Sequence, residues 1–96
     1  MSEIIQVILF RLLDLGARDE FLELSQEMKV WLGDQEGFLS YGLYEGKEGW
    51  ANCIVWRNLE DSKNGNEAFL KTGIYQALQK LVDSDFRGFV GEEVSL

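Results

Sequence analysis

Residues 38–57, FLSYGLYEGKEGWANCIVWR, decide the fold. Two aromatic, alternating runs, Phe38 to Glu45 and Trp50 to Arg57, flank the polar loop Gly46-Lys47-Glu48-Gly49. Paired glycines between strand patterns predict a β-hairpin. Along a strand, residues two apart share a sheet face. Trp50, Asn52, Ile54 and Trp56 therefore point one way, and Ala51, Cys53 and Val55 the other.

Upstream, Ile4 to Leu12 is β-branched and apolar, as a central strand would be, and Leu15-Gly16 closes it. From Ala17 to Leu32, Ala17, Phe21, Leu24, Met28 and Trp31 form a helical stripe. Glu20, Glu23 and Glu27 take the other side, and Gly33 is the expected C-cap. Downstream, Glu60 to Lys71 predicts a weaker helix, because Asn64-Gly65-Asn66 places poor helix formers near its middle. Ile74 to Val82 predicts a stronger helical stretch, and Phe86 to Val94 a last strand weakened by its glycines. The order βαββαβ is the ferredoxin-like, split βαβ plan of an α+β domain. It implies a four-stranded antiparallel sheet with the helices on one face. Residues 1–96 read as a single domain, with neither proline nor a low-complexity linker.

Composition removes several function classes. The chain has no histidine and one cysteine, Cys53, so zinc and iron–sulfur sites lack their ligands. No Asp-rich loop has the spacing of a calcium or magnesium site, so the expectation is no metal and no cofactor. Nine basic against 17 acidic residues give a net charge of −8, which opposes nucleic acid and anionic membrane surfaces. An RNA-binding module shares the element order, but this charge argues against it. No apolar run approaches membrane-spanning length, and Met1-Ser2-Glu3 lacks a basic flank, so a cytoplasmic address is expected.

One sheet face remains to be covered. Small residues suit close packing beneath helices, which assigns Ala51, Cys53 and Val55 to the helix side and the tryptophan face to the open side. Ile4, Gln6, Ile8 and Phe10 and, from the second strand, Phe38, Ser40, Gly42 and Tyr44 supply further faces of the sheet. An exposed aromatic patch of this kind is rare on a monomer. A homodimer through the open face bearing Trp50, Ile54 and Trp56 is therefore expected.

The stretch from Phe10 to Leu81 resembles the antibiotic-biosynthesis monooxygenase-like proteins of the dimeric α/β-barrel superfamily. The resemblance is carried by Glu36-Gly37-Phe38 opening the second strand and Trp56 closing the third. It continues through Leu59-Glu60-Asp61 and Phe69-Leu70-Lys71-Thr72-Gly73-Ile74-Tyr75-Gln76-Ala77-Leu78. It implies a dimeric α/β barrel with a pocket between sheet and helices. It also implies, in some members, oxygenation of electron-rich aromatics without metal or flavin. In such oxygenases a strand tryptophan like Trp56 lines the pocket, and an asparagine sits nearby, where this chain has Asn52. Two departures stand out: members often carry Glu two residues before the tryptophan, where Ile54 stands, and histidine in the second helix, where Phe69 stands.

The candidate catalytic residues are Asn52 and Trp56, in a substrate pocket of Gln6, Asn52, Ile54, Trp56, Phe69 and Tyr75. Asn52 is the sharpest signal, since a primary amide on an apolar face must find a hydrogen bond or cost about 1–3 kcal/mol. It suits a ligand carbonyl or a developing oxyanion. Tyr41, Tyr44 and Tyr75 are possible phenol donors. The expected function is monooxygenase-like chemistry, without a cofactor, on a small hydrophobic and aromatic substrate. The alternative is a non-catalytic dimer that binds a small hydrophobic ligand or a partner protein.

Overall fold

A computed structural model describes residues 2–96. Four strands, β1 (Ile4–Phe10), β2 (Phe38–Glu45), β3 (Trp50–Trp56) and β4 (Arg87–Glu92), form one antiparallel sheet in the order β2-β3-β1-β4. Helices α1 (Arg18–Gly33), α2 (Leu59–Phe69) and α3 (Gly73–Leu81) complete the ferredoxin-like α+β fold. The hairpin between β2 and β3 closes with the Gly46 N–H donating to the Gly49 carbonyl at 2.8 Å. A Cβ at Gly49 would meet the Phe10 carbonyl oxygen at 2.6 Å, so glycine is required where the loop crosses the end of β1.

Helices α2 and α3 begin where the sequence offers caps. Asn58 Oδ1 accepts from the Asp61 N–H at 2.8 Å at the start of α2, and Thr72 Oγ1 accepts from the Tyr75 N–H at 3.1 Å at the start of α3. Helix α1 continues through Gly33 to Asp34, and the left-handed residue comes later, at Gly37 with φ 80°. A side chain at Gly37 would also run into the Asp61 carboxylate. The expected glycine cap is thus displaced into the turn before β2.

The tryptophan face of β3 lies beneath the helices, the reverse of the face assignment from sequence. Ile4, Phe10, Trp50, Ile54 and Trp56 are buried against Phe21, Met28 and Leu32 of α1, while Ala51, Cys53 and Val55 are half-buried on the opposite face. The physical reason is that the small surfaces lie on the helices. Gly65 and Ser62 of α2 and Ser25 of α1 are buried, and the Trp56 indole occupies the space that a side chain at Gly65 would need. At Trp56 a large residue on the sheet therefore meets a glycine on the helix. A dimer cannot form through Trp50, Ile54 and Trp56 while the helices cover them.

A β-bulge corrects the face of β2 as well. Phe38 pairs with Trp56 but Ser40 with Val55, so the phase shifts by one residue. Phe38, Tyr41 and Leu43 join the helix side, and Ser40, Gly42 and Tyr44 face outward. The open face also carries Ile5, Val7 and Leu9 of β1 and Phe89 of β4.

Candidate functional site

Asn52 interrupts the apolar row of β3. Ile54 and Trp56 belong to one core cluster with Ile4, Met28 and Leu32, whereas Trp50 belongs to another with Phe10 and Phe21. Asn52 falls between these clusters and lines a cavity of about 240 Å³ between sheet and helices. Ile8, Phe10 and Tyr41 extend the cavity floor across the neighbouring strands. Phe21, Ser25 and Met28 descend from α1 at the i, i+4, i+7 spacing of one helical face. Phe69, Tyr75, Leu78 and Gln79 close the side formed by α2 and α3, and Val82 to Ser84 with Phe86 form the rim before β4.

The polar inventory is short. Asn52 is 9% exposed, and its Oδ1 is buried without a hydrogen-bond partner. Such an orphan is rare in a folded protein and calls for an explanation. Ser25 Oγ is already occupied, donating to the Phe21 carbonyl at 2.9 Å. Burial pushes the Tyr41 phenol above its ordinary pKa, and the Ser25 hydroxyl offsets part of that rise. Tyr41 therefore stays protonated at neutral pH. Gln79 Nε2 donates to the Tyr75 hydroxyl oxygen at 2.8 Å and fixes that ring at the outer wall. Phe69 meets Tyr75 edge-on with centroids 5.8 Å apart, and lies tilted against Trp31 at 5.4 Å.

Of the residues singled out in the sequence, Asn52, Phe69 and Tyr75 come together around this cavity, whereas Gln6, Ile54 and Trp56 lie outside its lining. Trp56 is fully buried, and its Nε1 donates to Gln6 Oε1 at 3.2 Å. Gln6 and Asn66 exchange two amide hydrogen bonds, each 3.1 Å. Gln6 and Trp56 are thus satisfied by the protein itself, whereas Asn52 Oδ1 has no partner. Sequence reading missed Phe21, Ser25 and Met28, although their helical spacing on α1 was available as a signal. It also missed the rim at Asp83, Ser84 and Phe86, which only the path between α3 and β4 brings to the cavity.

Among the described residues no group of three or more His, Cys, Asp or Glu side chains is placed to hold a metal ion. Among the described residues no helix is long and apolar enough to cross a membrane. Arg57 donates to Asp61 Oδ2 at 2.7 Å and lies 3.5 Å from Glu36, an ion cluster that ties the end of β3 to α2, away from the cavity lining.

No protein-family model and no curated protein matches the chain. Solved structures match over its full length. An asparagine-to-alanine variant of SnoaB, a cofactor-independent oxygenase from Streptomyces nogalater, superposes with a TM-score of 0.83 at 17% identity, covering 100% of this chain and 97% of that one. A conserved protein from Methanosarcina mazei gives 0.77 at 15% identity over 97% and 95% of the two chains. A protein of unknown function from Bacteroides thetaiotaomicron gives 0.75 at 19% identity over 96% and 98%. The chain has the ferredoxin-like fold of SnoaB and its structural relatives.

Proposed function

We propose that the cavity over Asn52 is the active site of a monooxygenase-like enzyme that acts without a cofactor on a hydrophobic aromatic substrate. The observation that carries this reading is the unpartnered, buried Oδ1 of Asn52 in an otherwise apolar, aromatic-walled cavity. A native core rarely keeps such a group without a partner, and in an apolar, aromatic-walled cavity a bound ligand is one that supplies it. The oxygenase fold shared with SnoaB supports the reaction class. In this reading the substrate itself supplies the electrons. A ring carbon that bears hydrogen, ortho or para to the hydroxyl, then reacts with dioxygen. One oxygen atom stays on that carbon as a carbonyl, the hydroxyl becomes the second carbonyl, and the other oxygen atom leaves as water with the two hydrogens lost. For 1-naphthol this balances as naphthol plus dioxygen giving 1,4-naphthoquinone plus water.

The test is aerobic incubation with hydroxylated arenes of one to four rings under isotopically labelled dioxygen, with no flavin or metal added. Labelled quinone should form, and Asn52→Leu should lower its rate at least tenfold, about 1.4 kcal/mol of transition-state stabilisation. Oxygen uptake no faster than in protein-free buffer for every arene contradicts the enzyme and favours a non-catalytic binder.

Residues on the open sheet face support a homodimer, now through Val7, Leu9, Cys53, Val55 and Phe89 rather than the tryptophans. At strand spacings of about 4.8 Å and about 3.3 Å per residue, the face spans about 400 Å², the size of the largest patch on a typical monomer. A standard interface buries about 800 Å² per partner. Exposed Val94 and Leu96 follow β4 and supply further apolar surface. Sedimentation at micromolar concentration should give twice 11.0 kDa, and Val7→Lys should shift it to monomer. A wild-type monomer at that concentration rules the dimer out.

A further inference from the structure

Asn52 sets what the ligand must carry, and the cavity sets its size. The buried Oδ1 is an acceptor that lacks a donor, so the group that satisfies it must bring a hydrogen. An apolar cavity of about 150 Å³ accommodates benzene. Scaled to the 240 Å³ found here, that is roughly ten ring atoms, a naphthalene skeleton. The walls do not yield readily on the side of the α3–β4 connection. Leu13 N–H donates to the Leu81 carbonyl at 2.8 Å and Asp83 N–H to the Arg11 carbonyl at 2.9 Å, pinning that connection to the extension of β1. Leu12 and Val82 form a bridge between them.

Charge decides the protonation state. No lysine or arginine lines the cavity, while the Asp83 carboxylate does, and the chain carries a net charge of −8. A phenolate would enter a low-dielectric site without a counter-ion and beside a negative group, which disfavours the anion. The burial that raises the Tyr41 phenol acts on a bound phenol in the same direction.

We infer that this cavity selects a neutral, hydroxylated arene of two fused rings, whose hydroxyl donates to Asn52 Oδ1. The inference rests on reading the cavity as the ligand site, and it narrows the substrate to a size and a protonation state. The ring lies among Phe10, Phe21, Phe69 and Phe86, and its oxygen is directed to the gap that Asn52 leaves between the two core clusters.

The experiment is anaerobic calorimetry at neutral pH with 1-naphthol, 1-methoxynaphthalene and 1-hydroxypyrene, on the wild-type protein and on Asn52→Leu. The ether keeps the two rings and can accept a hydrogen bond but not donate one, and the pyrene keeps the hydroxyl on four rings. In the wild type, 1-naphthol should bind at least tenfold more tightly than either competitor. In Asn52→Leu its advantage over the ether should fall to within twofold. Wild-type affinity for the ether within twofold of that for 1-naphthol overturns the donor requirement, and 1-hydroxypyrene binding as tightly as 1-naphthol overturns the size limit. Binding of all three without preference refutes this inference but leaves the cavity as a ligand site. Binding of none refutes both.

Discussion

Trp56→Ala should lower the free energy of unfolding by about 3–5 kcal/mol. The indole has no solvent exposure, and it touches Gly65 of α2 and lies edge-on to Phe38, with centroids 6.1 Å apart. Truncation removes the transfer free energy of a large aromatic and leaves a void that the surrounding strands and α2 can only partly fill. It also deletes the Nε1–H donor to Gln6, although Gln6 keeps its exchange with Asn66. Urea denaturation should report a lower midpoint at unchanged slope. A loss below about 1 kcal/mol would show that Trp56 is not the packing centre of its cluster.

Gly65→Ala distinguishes two accounts of the same residue by the sign of its effect. If Gly65 were merely a poor helix former, alanine would stabilise α2 by about 0.5–1 kcal/mol. The structure predicts the opposite. A methyl group there runs into the Trp56 indole, and forcing extra volume into a packed core costs about 1–3 kcal/mol. The penalty should shrink by at least half in a Trp56→Leu background, where the smaller side chain leaves room. Stabilisation by Gly65→Ala in the wild type would mean that the helix and indole separate easily.

Much of the architecture was legible because local chemistry and the global fold agree. The hairpin from Phe38 to Trp56 was read from alternation and paired glycines, and its strands fall within a residue of their expected ends. The face assignment was not legible, for two reasons. Smallness on β3 was taken as the sign of contact with helices, whereas the complementary small residues are Ser25, Ser62 and Gly65 on the helices themselves. The bulge between Phe38 and Ser40 then shifted the phase of β2, and a one-residue slip exchanges every side chain between faces.

The site was legible in part for a related reason. Asn52 stands out in any reading of β3 as an amide in an apolar row, whereas Phe69 and Tyr75 enter through the family resemblance of the second helical region. Trp56 carries the same apparent signal, yet its only polar atom is satisfied by Gln6, a pairing across strands that the sequence does not reveal. The asparagines near the middle of α2 read as helix weakeners, but Asn66 is held by that same Gln6, and the helix runs unbroken from Leu59 to Phe69.

On the proposed reading Asn52 serves a ligand rather than the fold, and Asn52→Leu tests this when stability and turnover are measured on the same preparation. A buried acceptor without a partner costs about 1–3 kcal/mol, and an apolar residue of similar shape removes that cost. Urea denaturation of Asn52→Leu should therefore give a free energy of unfolding equal to or above that of the wild type, by up to about 1 kcal/mol. Formation of labelled quinone should fall at least tenfold in the same sample. Destabilisation of 1 kcal/mol or more with turnover retained would contradict the claim and make Asn52 a structural residue.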